Sequence, residues 1–152
     1  LNKVLIFGLV AVLVVCLALA AGVWLVAQQM GIHLPDKSQV PVITVSGGLR
    51  PTISFTPDTA YELNVYEGDK DGDGFGVIWH ATGPGGYENN LRSPVVYGVP
   101  PEGSAGQEAP PLEPGQTYTV TVYRKDPKGG GDGFFNTRRR YDGLVTFAAT
   151  GE

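Results

Sequence analysis

The chain has 152 residues, 17% of them charged, and a formal net charge of −4. All fifteen acidic residues and ten of the eleven basic ones follow residue 30, so that part carries a net charge of −5. Such an acidic surface gives no electrostatic reason to expect nucleic acid as a partner, and the one basic run, Arg138-Arg139-Arg140, is too short to change that. What remains beyond the apolar N-terminal block is rich in Gly and Pro and too small to assemble a large enzyme core.

From Val4 to Ala27, 22 of 24 residues are apolar, and the other two are Gly8 and Gly22. A helix of that length would span about 36 Å, more than the ~30 Å hydrocarbon core of a bilayer. It has no polar face, Lys3 precedes it, Gln28 and Gln29 follow it, and Trp24 lies near its far end. These flanks fit a retained signal anchor: a single-pass membrane protein of the cell envelope, with everything beyond the helix outside. Ala18-Leu19-Ala20 also satisfies the small-x-small rule of a cleaved signal peptide. Leu13-Val14-Val15-Cys16 fits a lipoprotein site less well, because Val15 precedes the cysteine. Cys16 reads more simply as a small apolar packing residue, and as the single cysteine it forms no intramolecular disulfide.

The chain opens on Leu1 rather than Met, which fits either a start codon read literally or a processed terminus. In the second case the architecture resembles that of mature type IV pilin-like proteins, although Leu5 stands where an acidic residue would be expected. That resemblance implies an extracellular filament, with the apolar helices packed in its core and a β-rich head outside. Gly8, Ala11, Ala18 and Gly22 would permit close helix packing in lipid or in such a core. The helix thus has either membrane lipid or copies of itself as its partner.

Residues 1–29 form the hydrophobic helix in this reading, and 30–39 a short neck broken by Gly31, Pro35, Asp36 and Lys37. From residue 40 to 152 the pattern turns to short strands between turns. Val42–Val45 comes first, then Thr52–Phe55. Tyr61–Glu67 alternates, with Tyr61, Leu63 and Val65 pointing one way. Phe75–Ala81 and Val95–Tyr97 follow. Thr117–Arg124 alternates again, with Tyr118, Val120 and Val122 on one face, and Leu144–Phe147 closes the set with Val145 and Phe147 inward. Seven strands without helical periodicity between them predict a mainly β fold, a seven-stranded antiparallel β-sandwich behind one N-terminal helix.

Leu112-Glu113-Pro114-Gly115-Gln116-Thr117-Tyr118-Thr119-Val120-Thr121-Val122 resembles the L-x-P-G-x-x-Y-x-V-x-V signature of fibronectin type III domains. The resemblance implies a fibronectin III-like or immunoglobulin-like sandwich with a tyrosine corner built from Leu112, Pro114, Gly115 and Tyr118. It departs from that family in the Pro/Gly-rich insertion Val99–Pro111 and in the second strand, which lacks a tryptophan. The insertion is ill-suited to a packed core, and a neighbouring molecule could order it.

Asp69-Lys70-Asp71-Gly72-Asp73-Gly74 offers carboxylates at alternate positions, as calcium loops do. The twelfth position is His80 and helical flanks are missing, so an EF-hand is excluded. What stays open is a weak Ca2+ site at Asp69, Asp71, Asp73 and Glu67, or a solvated hairpin tip. Gly129–Gly133 lacks the Lys-Ser/Thr of a phosphate loop. Phe134 and Phe135, adjacent in the chain, would point to opposite faces of a strand. With Arg138, Arg139 and Arg140 they are candidate protein-partner contacts. His33 and His80 have no motif nucleophile beside them, which argues against catalysis. The sequence therefore reads as a non-catalytic, membrane-tethered adhesive, scaffolding or accessory module, or alternatively as a filament subunit, with protein partners at its loops or sheet edges.

Overall fold

The structure is a computed structural model that describes residues 3–29, 36–69, 76–85, 88–104, 106–127 and 140–151; within the helix, side chains are described at residues 8 and 10–26. The chain divides into two units, one built on the helix and one on the strands.

Helix α1 runs Lys3–Gln29, rich in Leu, Val and Ala and with no proline to break it. Neither an acid in its first turn nor a base in its last offsets the helix dipole. The expectation of a single-pass membrane protein is overturned here. Among the described residues no helix is long and apolar enough to cross a membrane.

The other unit is mainly β. Its strands are β1 (Val42–Ser46), β2 (Thr52–Thr56), β3 (Thr59–Ala60), β4 (Glu62–Glu67), β5 (Val77–Thr82), β6 (Leu91–Arg92), β7 (Val95–Val96), β8 (Thr117–Lys125) and β9 (Arg140–Ala148). They pair antiparallel in sheets of order β1-β2-β7, β3-β6 and β5-β4-β8-β9. Nine strands among the described residues replace the expected seven. The two additional strands are the short β3–β6 pair; β9 is the expected last strand, begun at Arg140 rather than Leu144. Composition hides both, because two-residue strands leave no period to read and Gly143 interrupts the apolar alternation.

Period two places the core. Ile53 and Phe55 of β2, Leu63 and Val65 of β4, and Val120 and Val122 of β8 join one buried cluster. Trp79 and Ala81 of β5 belong to it too, and Val145 and Phe147 pack against it from β9 as expected. Tyr61 leaves its expected inward set. It sits ahead of β4, its N–H donates to the Tyr123 carbonyl, and its ring lies 6.2 Å from that of Tyr123. Alternation holds only within a strand, and Tyr61 is outside one.

The described part of the Val99–Pro111 insertion also departs from expectation, since its own chain orders it. Ala109 is buried in the shared cluster, as is Leu112 just beyond it. The Trp79 indole donates to the Gln107 carbonyl at 2.9 Å, and the Ala109 N–H donates to the Gly98 carbonyl at 3.3 Å. A buried indole needs an acceptor, and this segment supplies it.

Candidate functional site

The tyrosine corner is assembled from its four residues. Tyr118 is buried on β8, and its hydroxyl accepts a hydrogen bond from the Glu113 N–H at 3.0 Å. Gly115 takes φ +81, the left-handed region that the turn after Pro114 requires. The Gly115 N–H donates to the Ala149 carbonyl at 2.8 Å, which ties the corner to the end of β9. Leu112 is buried, and its N–H donates to the Leu49 carbonyl at 2.8 Å. The arrangement fixes the approach to β8 and has no chemically reactive group.

The candidate calcium residues are only partly on view. Glu67 is exposed at the end of β4, and Asp69 is exposed beyond Gly68. Gly68 is held to β8 on both sides: its N–H donates to the Thr117 carbonyl, and its carbonyl accepts from the Thr119 hydroxyl, each at 2.8 Å. Asp71 and Asp73 lie outside the described residues. Among the described residues there is no group of three or more His, Cys, Asp or Glu side chains placed to hold a metal ion.

Of the candidate partner contacts, Phe134, Phe135, Arg138 and Arg139 lie outside the described residues, as does His33. Arg140 opens β9 and is engaged within the fold. Its guanidinium makes two hydrogen bonds to Asp142, at 2.9 and 3.1 Å, and lies 4.2 Å from the centroid of the Tyr123 ring. The Asp142 carboxylate holds the Arg140 pKa above its ordinary value. Together with Tyr61 and Lys125, whose ammonium lies 5.0 Å from the Tyr61 ring centroid, these residues form a tyrosine–cation cluster beside the β8–β9 ladder. His80 is exposed on β5, opposite Asn64 of β4.

The helix residues stand open. Gly8, Ala11, Ala18 and Gly22 are all exposed, and a β-carbon added at Gly8 or Gly22 would meet nothing within 4 Å. Cys16 is likewise an exposed free thiol. Around them Leu17, Leu19 and Val23 are 62, 65 and 71% exposed. Side chains of this kind contribute about 1.5–3 kcal/mol each when fully buried, so the eleven large apolar residues of α1, each more or less half exposed, offer on the order of 10–20 kcal/mol of gross stabilisation to whatever covers them.

Sequence reasoning passed over Arg124. The alternation that puts Tyr118, Val120 and Val122 inward puts Arg124 on the same face, so the parity of β8 carried the signal. Arg124 is 9% exposed, and burial lowers its pKa, with Asp58 nearby opposing that shift.

Comparison with known proteins identifies no relative: no family, no curated protein and no solved structure matches this chain.

Proposed function

We propose that this chain is a non-catalytic, self-assembling subunit, in which α1 packs against copies of itself and the strand unit acts as an interaction module. The observation that carries the reading is the unrelieved apolar exposure of α1 along residues 10–26. A helix apolar on every side lacks the charged face with which interfacial helices lie on a bilayer surface. Copies of the same helix offer a matching apolar surface on all sides, and Ala11, Ala18 and Gly22 let backbones approach. One neighbour covers only one side of a helix that is apolar all round, so several neighbours rather than one would cover each helix. That is the arrangement of a filament or bundle core.

For the strand unit we infer a fibronectin III-like or immunoglobulin-like sandwich. Three features support it: the sheet orders β1-β2-β7 and β5-β4-β8-β9, the core cluster both sheets contribute to, and the Tyr118 corner. Modules of this kind bind through end loops or free sheet edges.

The test is light scattering of the full chain as detergent is diluted away, beside the Leu17→Asp/Ala18→Asp variant. Wild type should form assemblies of many copies. The variant should remain monomeric with the same β-sheet circular dichroism. A monomeric wild type, or one that enters added lipid vesicles as single copies, would overturn the reading.

A further inference from the structure

Residues 36–41 are fastened to the strand unit at three places. The Asp36 N–H donates to the Tyr141 hydroxyl at 3.1 Å, and that hydroxyl donates to Asp126 Oδ2 at 3.3 Å. Arg124 Nε donates to Gln39 Oε1 at 3.1 Å, while its Nη1 donates to the Thr59 carbonyl and, at 2.6 Å, to Thr59 Oγ1. Pro41 is buried against β9 so closely that any side chain at Gly143 would run into its carbonyl.

The segment between these points has its own local order. Asp36 Oδ1 accepts from the Ser38 N–H at 3.0 Å and from its hydroxyl at 2.6 Å, capping one 3-10 turn at Lys37–Gln39. The Gln39 and Val40 N–H groups bond back to the Asp36 and Lys37 carbonyls. Arg124 and Tyr141 face each other in the β8–β9 register, so one rung of the ladder holds both polar contacts.

An inward-facing arginine is an expensive choice for that rung. Burying a guanidinium costs free energy unless its donors are met, and a well-packed apolar residue often serves stability as well or better. Here its donors are met by two segments far apart in sequence, Gln39 and Thr59, which an apolar side chain could not tie together.

We propose that Asp36–Pro41 is a latched strap, closed onto β8 and β9 by Arg124 and Tyr141 and able to open as one piece while the sheet stays folded. The strap is where the chain enters β1. Closed, it holds that entry at a fixed point of the strand unit; open, it leaves a free tether. The strap rests on the strand unit alone and holds whatever surface covers α1.

Residue-resolved hydrogen exchange on the full chain in mild detergent tests it, comparing wild type with Gln39→Ala, Tyr141→Phe and Arg124→Met. The Ser38, Gln39 and Val40 amides should be protected in wild type. Each variant should speed all three together by about tenfold or more, the size expected for losing one such hydrogen bond. The β8 amides Val120 and Val122 should keep their wild-type rates. Trypsin should cut after Lys37 correspondingly faster. Should Arg124→Met fail to fold, Gln39→Ala and Tyr141→Phe decide alone, since neither removes a buried charge. Unprotected strap amides in wild type would overturn the latch, as would variants that leave their rates unchanged. Equal acceleration of the β8 amides would overturn opening as one piece.

Discussion

In α1, Leu19 and Val23 stand 65 and 71% exposed, while Leu63, Val65, Val120 and Val122 of the strand unit are fully buried. The residue types are the same; the periods are not. In β4 and β8, apolar positions alternate with Asn64, Thr119 and Thr121, so each strand sorts its side chains onto two faces. In α1 nothing polar interrupts residues 10–26, and no arrangement of that one helix hides all its sides. The strand unit buries a core of its own, whereas the described side chains of α1 all stay exposed. Apolar content alone therefore says how much surface seeks cover, and the pattern says whether the chain itself can provide it.

The contrast can be tested by loading one unit and watching the other. Trp79→Ala removes the indole that packs at 5.3 Å on Tyr97 and leaves the Gln107 carbonyl without its donor. It should destabilise the strand unit by about 3–5 kcal/mol in chemical denaturation, with the helical circular dichroism of α1 persisting past the transition. Simultaneous loss of both signals would break the comparison. Gly143→Ala forces a methyl group into the Pro41 carbonyl and should cost about 1–3 kcal/mol by the same assay. Tyr118→Phe deletes the acceptor for the Glu113 N–H and should cost about 1 kcal/mol.

A pH titration gives a smaller effect. Burial raises the Tyr97 and Tyr66 hydroxyls above their ordinary value of 10.0. A raised folded pKa means that these groups favour folding fully below pH 10, and that the contribution is lost as pH rises through the folded values. Stability of the strand unit should fall above pH 10, and Tyr97→Phe should make that fall shallower. Smallest of all, Leu19→Ala should leave the strand unit's denaturation midpoint unchanged, because Leu19 lies in the other unit.

Much of the strand unit was legible because its signals are local. Alternation marked β4 and β8, and Pro114-Gly115 before Tyr118 marked the corner. What was not legible depends on distance along the chain. Gln39 meets Arg124 across 85 positions, and Trp79 finds its acceptor 28 positions on, so no local pattern announces either. The same applies to Tyr61, whose ring follows Tyr123 rather than the parity of its neighbours. At α1 the residues declare an apolar surface that lipid and protein cover equally well, so the sequence alone does not choose between them.

The chain's two tryptophans fall one in each unit, Trp24 60% exposed on α1 and Trp79 buried among the strands. Trp79→Phe therefore leaves Trp24 as a single reporter of what covers the helix. Its fluorescence should be measured in the full chain after detergent removal, with acrylamide and with vesicles of brominated lipid as quenchers. Packing of α1 among copies of itself predicts blue-shifted emission, shielded from acrylamide and untouched by the brominated lipid. Strong quenching by the lipid, or solvent-exposed emission from a monomer, would contradict it.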